Sequence, residues 1–543
     1  MSSYYSVLKS SIWSFVTSKF RQEQGALQGS RDGRPVWRRR AFATKLSAGL
    51  TAILLAALVT TGCGGSSSSS NLPSTAGTGA LYTVVGDTPA CNVLGFSLFL
   101  VELDLHPEGA SPTQTLIAYP TNSSPTSPVV EFGTLRDTST IGNLTTVSAG
   151  TYDRAIVTLT VDSAAKYDPT VNPPASLLKT NITTTKVAVN IQPPLTITKG
   201  QVSVLQLDLN LAQSLAVDSK GQLTGDVTPV FTARPVAESG PNGFGEFDSL
   251  EGFILSVNSS SPGTGFTSSF VLQTLSGRGP ALSIDLTSDT NLLPSALNGR
   301  IDKVPTGSFV EVDGYINTNG NIVAKGIQVE DREDITSNKL AYLGPVLSVT
   351  RDSSGNVTQF DMLSRNTEPD DTTAVDLDSN ITVNVSSSTT FKAYQLSSDL
   401  TAQANAANLA FNAQTLAPGQ EVVVHGVYTK ATGELVNVAA DSIYLRLQPI
   451  QGDFISLLQA GSDDKTGAFQ FAPCSDLAKG TPFIVATDSQ TDFVKPLGLS
   501  ALSPATPMLV RGLSLLDKQG GTINGVPVPA GTMVLLANHI RQF

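Results

Sequence analysis

The chain is poor in the side chains that most often build catalytic sites. Its 543 residues include three cysteines, three histidines and two tryptophans. The histidines lie far apart, each in or just after a predicted strand: His106, His425 and His539. No Gly-x-Ser-x-Gly elbow occurs, which removes a common sign of a serine nucleophile. We therefore expect no catalytic residue and no enzyme activity.

Metal and cofactor motifs are equally scarce. Acidic residues cluster at 331–334 and 368–371, and carboxylates are ligands that calcium accepts. Neither cluster has the residue spacing of a known calcium loop. Both are interpreted as solvated surface, and we expect no metal and no cofactor.

Positive charge is concentrated at the beginning of the chain. Residues 1–62 hold nine of the 34 Lys and Arg but two of the 45 Asp and Glu, which leaves 25 against 43 and a net charge of about −18 on the remainder. Such a surface repels phosphate backbones, so nucleic acid is not expected as a partner. Both tryptophans, Trp13 and Trp37, also lie in this first segment. The remainder therefore lacks the side chain that stacks best on sugars.

The basic segment leads into the features of an export signal. Five basic residues within 34–45 precede an uncharged run, Leu46–Val59, which is too short to span a bilayer. Small residues then lead to Cys63 and complete the three regions of a secretory signal. The stretch TTGC resembles the lipobox of bacterial lipoproteins. That resemblance implies that residues 1–62 are a signal peptide and that Cys63 receives diacylglycerol and becomes the mature N-terminus.

The export route and the final location depend on the flanking residues. A plain secretory signal is one alternative, and Arg39–Arg40–Ala41–Phe42 also resembles a twin-arginine signal, whose cargo crosses folded. Residues 63–80 are rich in glycine and serine and are predicted to be a flexible tether. Gly64 after the cysteine favours the outer membrane under the enterobacterial sorting rule. We expect a lipid-anchored protein of the bacterial cell envelope, in the outer membrane and facing the periplasm or the cell surface.

From residue 81 onward the pattern is that of β structure. Short apolar alternations are separated by clusters of Gly, Pro, Asn, Asp and Ser, and residues 81–236 are interpreted as one antiparallel β-sandwich. The segments FSLFLVELDLH (96–106), AGTYDRAIVTLT (149–160) and TITKGQVSVLQLDLNLAQSLAV (196–217) together resemble a bacterial domain of unknown function found mostly in lipoproteins. That family is grouped with prealbumin-like and carbohydrate-binding-like sandwiches, so the resemblance implies a fold more than a function.

The remaining residues contain an internal repeat. A strand flanked by small residues recurs without gaps as GSFVEVDG (307–314), GQEVVVHG (419–426) and ATPMLVRG (505–512). The copies are preceded by similar opening strands, EGFILSV (251–257), LGPVLSV (343–349) and QGDFISL (451–457). We therefore predict three β-barrel repeats, at 245–332, 339–448 and 449–543.

Each repeat has the element order of an OB-type barrel, which is three strands, a helical linker and two strands. Glycine at both ends of the fourth strand would permit the bulge and sharp bend that barrel closure needs. In the second copy, the alanine-rich residues 397–414 are predicted to be helical. The copies resemble a second bacterial domain family of unknown function that often follows the first, and a small sandwich is the structural alternative. The predicted fold class is all-β, an N-terminal antiparallel β-sandwich followed by three OB-like barrels.

Two functions fit this organisation. One is a non-catalytic surface module that binds a glycan or an envelope protein, and the other is a structural spacer without a small ligand; a secreted hydrolase is the least expected class. A glycan would need exposed aromatic platforms, for which the candidates are Tyr82, Tyr119 and Tyr167. The remaining cysteines, Cys91 and Cys474, fall in different predicted domains, so we expect no disulfide between them. The expected partners are the membrane, through the N-terminal lipid, and a glycan or an envelope protein.

Overall fold

The chain is built almost entirely from β-strands. The computed structural model describes residues 77–542 except for the following positions: 89, 92, 110–113, 119–128, 134, 136–138, 169, 183, 220–221, 239–242, 275–279, 294–296, 330–338, 369–377, 430–434, 476, 479–481, 496 and 505. The predicted signal peptide, Cys63 and the acidic cluster at 331–334 lie outside the described residues, as does most of the cluster at 368–371. Within the described residues, no helix is long and apolar enough to cross a membrane.

A curled ten-stranded sheet forms the N-terminal region. The described strands of this region are β1 (Thr78–Thr88), β2 (Val93–Pro107), β3 (Gln114–Ala118), β4 (Val129–Glu131), β5 (Ser139–Ser148), β6 (Gly150–Tyr167), β7 (Ala175–Leu177), β8 (Asn181–Ile182), β9 (Lys186–Ile197), β10 (Val202–Asn210), β11 (Leu215–Val217), β12 (Leu223–Val227) and β13 (Phe231–Pro235). The curled sheet has the order β3-β2-β6-β9-β13-β10-β1-β5, with β4 beside β2 and β7 beside β6. A smaller sheet has the order β11-β12-β8, and a four-residue helix, α1 (Leu211–Ser214), precedes β11.

Both faces of the curled sheet are used, as β10 illustrates. Its sequence VSVLQLDLN places Leu205, Leu207 and Leu209 on one face, where they join the core enclosed by the curled sheet. Val204 points to the other face and packs with Tyr82 against the core of the next domain. Period-two alternation therefore positions one strand between two cores.

A closed five-stranded barrel follows, hereafter barrel 1. Its strands are β14 (Glu246–Asn258), β15 (Ser268–Thr274), β16 (Ala281–Leu293), β17 (Phe309–Ile316) and β18 (Ile322–Val329). The order around the barrel is β14-β15-β16-β18-β17, and β17 pairs back onto β14. Only β16 and β18 run parallel among these pairs. A 3₁₀ turn, Ile301–Lys303, lies between the third and fourth strands.

Barrel 2 repeats this arrangement with an added helix. Its strands are β19 (Lys339–Arg351), β20 (Val357–Ser364), β21 (Asn366–Glu368), β22 (Ser379–Asn384), β23 (Thr390–Ala393), β24 (Glu421–Thr429) and β25 (Val436–Leu445). The main circuit is β19-β20-β22-β25-β24, closed by the pairing of β24 with β19. Helix α2 (Ser398–Ala406) precedes the fourth strand of the circuit, and the Ser397 hydroxyl caps it by accepting from the Leu400 N–H at 3.1 Å. The helix predicted within 397–414 is thus confirmed, although it is shorter.

Barrel 3 completes the series. Its strands are β26 (Leu447–Ala460), β27 (Gly467–Pro473), β28 (Phe483–Thr487), β29 (Asp492–Lys495), β30 (Pro507–Leu516), β31 (Gly521–Ile523), β32 (Val526–Val528) and β33 (Met533–Gln542). The circuit is β26-β27-β28-β33-β30, closed by the pairing of β30 with β26, and β31 and β32 form a separate hairpin. A 3₁₀ turn, Leu499–Ala501, again precedes the fourth strand.

All three barrels therefore share one strand order, first-second-third-fifth-fourth, with the third and fifth strands parallel. This order is that of the OB fold, and it confirms the predicted all-β class with OB-like barrels. The N-terminal region differs from the predicted antiparallel sandwich, because in its curled ten-stranded sheet β1 runs parallel to β10 and β9 to β13. Alternation of apolar and polar residues shows which side chains are buried, but it does not show whether neighbouring strands run parallel or antiparallel.

Of the small residues at the two ends of the repeated strand, the glycine at its C-terminal end lies at a bulge in each barrel. The register shifts directly before Gly314, Gly426 and Gly512, one in each barrel. A Cβ atom at these positions would lie 2.3 to 2.4 Å from a carbonyl oxygen of the fifth strand. Only glycine therefore allows the two strands to approach at this bulge.

Candidate functional site

The fourth strands of barrels 1 and 3 meet through charged side chains. Glu311 and Asp313 lie on β17, and Arg511 lies on β30 at the repeat position that Asp313 occupies in barrel 1. Arg511 Nη2 donates to Glu311 Oε1 at 2.7 Å and to Asp313 Oδ1 at 3.3 Å. The side chains of Arg511 and Glu311 are each 2% exposed. The pair is almost fully desolvated, so loss of either partner would remove a counter-charge from a site with little access to water.

Arg446 extends this cluster to barrel 2. It lies between β25 and β26, where the chain passes from barrel 2 to barrel 3. Its Nη2 donates to Glu311 Oε2 at 2.8 Å and lies 2.5 Å from Glu251 Oε1. Glu311 therefore bridges two guanidinium groups. The five side chains are termed the ionic junction: Glu251, Glu311, Asp313, Arg446 and Arg511.

Two tyrosines border the ionic junction. Gln328 Nε2 donates to the Tyr444 hydroxyl at 2.5 Å. Burial raises the pKa of Tyr394 well above its usual value, and the nearby carboxylates Asp313 and Glu311 raise it further. Burial also raises the pKa of Glu251, although Arg446 acts in the opposite direction. The environment therefore favours a neutral tyrosine, and the carboxylates of the junction are engaged by guanidinium groups.

A second buried ion pair lies in barrel 2, where this barrel meets the curled sheet. Arg365 donates through Nη1 to both carboxylate oxygens of Glu421 at 3.0 Å, and through Nε to the Leu94 carbonyl at 2.5 Å. Glu131 of β4 interacts with the charge of Arg365, and its Oε1 accepts from the Phe96 N–H at 2.8 Å. Burial raises the pKa of Glu131, against the lowering effects of Arg365 and of the backbone donors. Polar bonds without access to bulk water thus fix the curled sheet to barrel 2.

A small cavity lies beside this second ion pair. Its volume is about 50 Å³, and its lining includes Leu94 of the curled sheet, Arg365 and Glu421 of barrel 2, and Ile450 and Phe483 of barrel 3. A space of this size holds a few water molecules and is too small for a sugar ring. The cavity is therefore a gap at the meeting point of three sheets.

A disulfide closes the same region. Cys91 and Cys474 are bonded, with their Cα atoms 5.4 Å apart and a sequence separation of 383 residues. The expectation that these cysteines would not pair is wrong. Cys91 precedes β2 of the curled sheet, and Cys474 follows β27 of barrel 3. Membership of different domains does not keep two cysteines apart when the domains pack together.

The polar groups of this whole region are engaged in contacts between domains. Its carboxylates accept from guanidinium or backbone donors, and its cavity is small. In the part of the chain that the structure describes, no group of three His, Cys, Asp or Glu side chains is placed to hold a metal ion. The arrangement can hold domains in fixed positions and can retain a few waters.

The tyrosines predicted to stack on a ligand are not brought together. Tyr82 is 5% exposed, and its hydroxyl donates to the Gly320 carbonyl at 2.7 Å. Burial raises the pKa of Tyr82 to about 12, and Asp285 adds to this effect. Tyr167 is partly buried and packs against a different cluster. Tyr119 and Cys63 lie outside the described residues.

The three histidines also occupy separate places. His106 lies on β2, His425 on β24 and His539 on β33, which belong to three different sheets. His539 Nδ1 lies 3.3 Å from Asp492 Oδ2, and this hydrogen bond lowers the pKa of the Asp492 carboxyl. No two of them share a site.

Sequence reasoning missed the residues of the ionic junction, although the repeat alignment contained a sign of them. The residue before the bulge glycine is Asp313, His425 or Arg511 in the three copies. A different polar group at one position of an otherwise apolar strand indicates that this position faces a different neighbour in each copy. The alignment therefore indicates which position makes a specific contact, but it does not indicate which residue that position contacts.

Comparison with known proteins gives limited further information. The profile of a family described as a domain of unknown function, DUF5666, matches residues 251–328, which lie in barrel 1. No curated protein matches the chain. Among solved structures the chain is similar to a protein titled drosophila Unr CSD456, at 8% identity, with 54% of this chain and 97% of that chain covered and a TM-score of 0.13. A likeness this weak carries no argument, so the comparisons support one domain of unknown function within the chain.

Proposed function

We propose that this chain is a lipid-anchored protein of the bacterial cell envelope that acts, without catalysis, as a rigid spacer. One observation carries the proposal: the curled sheet and three barrels are joined through buried guanidinium and carboxylate groups and a disulfide. Desolvated ion pairs require defined geometry, so they favour one relative orientation of the domains. A spacer needs this property.

The disulfide also supports export. Disulfides persist in oxidising compartments such as the bacterial periplasm and are rare in the cytosol. The Cys91–Cys474 bond fits a chain that begins with the features of an export signal. Anchoring through Cys63 would then hold the spacer at the outer membrane, with residues 63–80 as a tether.

Replacing the proposed lipidation site should release the chain from the membrane. In cells expressing a Cys63→Ser variant, we expect the protein to move from the detergent phase to the aqueous phase, because an acyl anchor contributes roughly 0.8 kcal/mol for each buried methylene. Intact-mass measurement should show the loss of the lipid. A matched Ser66→Ala variant in the tether should remain bound. An equally membrane-bound Cys63→Ser variant would refute the anchor.

A second function, binding of another envelope protein, is supported by one repeated feature. The first strand of each barrel has a bulge that presents an aliphatic residue: Leu255, Leu347 or Ile455. Leu347 is 3% exposed because the curled sheet covers it, and it packs in one cluster with Leu94, Ala165 and Ala175. Leu255 and Ile455 are 51% and 40% exposed. The covered copy indicates what fits the exposed ones, namely a β-sheet face with small apolar side chains.

Site-specific photo-crosslinking separates the spacer from the binding module. A diazirine amino acid at position 455 is compared in intact cells with one at 459, an exposed polar position on the same strand. A spacer gives equal and weak adducts at both positions. A binding module gives a strong adduct at 455, and the crosslinked peptide of the partner maps to a β-strand rich in small apolar residues.

A further inference from the structure

The curled sheet is attached to barrels 2 and 3 in different ways. Towards barrel 2 it has direct bonds and packing: Arg365 donates to the Leu94 carbonyl, Asn380 donates to the Ala175 carbonyl at 2.9 Å, and Leu347 packs in one cluster with Leu94. Towards barrel 3 the contact contains the cavity of about 50 Å³. A covalent bond crosses this contact, where Leu477 of barrel 3 packs against the cluster that contains Leu94 and a cavity remains beside it.

The disulfide lies at the edge of that cavity. Ser475, directly after Cys474, is part of the cavity lining, and the Cys474 N–H donates to the Gln451 carbonyl at 3.0 Å. Both Cys91 and Cys474 are partly exposed. A small dithiol or a thiol protein therefore has access to the bond, which is the first condition for exchange.

Barrel 3 has other attachments that do not depend on the disulfide. Arg511 bonds to Glu311 of barrel 1, and Leu513 and Ile484 belong to one apolar core with residues of barrel 2. If the disulfide were broken, these contacts would keep barrel 3 in place on its other sides. Separation would be confined to the contact with the curled sheet.

We propose that the Cys91–Cys474 disulfide is a redox-sensitive latch, and that its reduction opens the cavity into a cleft between the curled sheet and barrel 3. The reductant is a dithiol. Its first thiolate attacks one sulfur of the bond and forms a mixed disulfide while the other cysteine leaves as a thiolate and takes up a proton. The second thiol of the reductant then displaces the remaining cysteine, so two electrons pass to the protein, Cys91 and Cys474 become thiols, and the reductant becomes a disulfide. Opening exposes the Arg365–Glu421 pair to water.

Hydrogen exchange of the mature chain tests the latch. Exchange is measured by mass spectrometry on the oxidised protein, on the protein reduced with dithiothreitol, and on a Cys91→Ser/Cys474→Ser variant. On reduction we expect amides in 93–100, 447–454 and 467–475 to exchange about tenfold faster or more, since local opening accelerates exchange in proportion to the open population. Amides in 309–329 of barrel 1 should keep their rates.

Two controls make the result decisive. Dithiothreitol should have no effect on the double serine variant, which should already show the faster rates. Because reduction acts on protein that is already folded, the test does not depend on whether that variant folds. Unchanged rates around the cavity would overturn the latch, since the contact would then be stable without the bond. Loss of protection in all barrels would overturn it as well, since the bond would then support the whole fold.

Discussion

Replacement of Arg511 by alanine is expected to cost about 3–5 kcal/mol of unfolding free energy, the range found when one partner of a buried ion pair is removed. Arg511 and Glu311 are each 2% exposed, and Asp313 lies 3.3 Å from the same guanidinium nitrogen. Without Arg511, Glu311 and Asp313 would lose the counterion that they share, and Arg446 would remain beside Glu311 alone of the two. The mutual repulsion and desolvation of the two carboxylates should first weaken the contact between barrels 1 and 3.

The measurement is urea denaturation of the mature chain, followed by proteolysis at intermediate urea to identify which barrel is released. Because the chain has several domains, its unfolding need not be two-state. We therefore compare the urea midpoint of the first unfolding transition between the wild type and each variant. Arg300→Ala is the matched control, because Arg300 pairs with Asp302 on the surface and its side chain is 61% exposed. That control should leave the first transition close to that of the wild type, because exposed ion pairs contribute little to stability. An Arg511→Ala transition as close to the wild type as that of the control would contradict a stabilising junction.

A methyl group at the bulge glycine of barrel 1 should have the second large effect. In Gly314→Ala, the added Cβ would lie 2.3 Å from the Val323 carbonyl oxygen and 2.9 Å from the Phe247 ring. Real Cβ atoms do not approach a carbonyl this closely, so β17 and β18 would have to separate at their bulge. We expect a loss of about 1–3 kcal/mol, as for overpacked cores, together with faster exchange of amides in 309–329.

Gly326→Ala is the control for this substitution. Gly326 lies on β18 directly opposite Asp313, and the nearest atom to an added Cβ would be Asp313 Oδ2 at 3.8 Å. This is an ordinary contact, so the substitution should be close to neutral. Similar losses for the two glycines would show that the effect comes from glycine replacement in these strands and not from the bulge.

Much of the fold was predictable because it repeats. The aligned segments around Gly314, Gly426 and Gly512 gave three copies, and the strand count in each copy gave the OB-type order that the structure confirms. A bulge at a fixed position of the barrel is visible in the local sequence, since only glycine fits there. Within the N-terminal region no such sign existed, and the parallel pairings of β1 with β10 and of β9 with β13 depend on which strands meet after the chain has curled.

The contacts between domains were not predictable, for a related reason. Cys91 and Cys474 are 383 residues apart, and nothing near either cysteine in sequence indicates its partner. Arg365 and Glu421 are ordinary surface residues by type, and they are buried because the curled sheet covers them. Tyr82 has the residue type of an aromatic platform, but its ring is buried against barrel 1.

Three domains of one topology in a single chain raise a problem of sorting, since each could in principle occupy the place of another. The position before the bulge glycine carries a carboxylate in barrel 1, an imidazole in barrel 2 and a guanidinium in barrel 3. Correct packing brings Asp313 to Arg511, whereas the interchange of two copies would place like charges together or leave one without a counterion in a dry interface. A mismatched charge at this position would therefore disfavour the interchanged arrangement relative to the observed one.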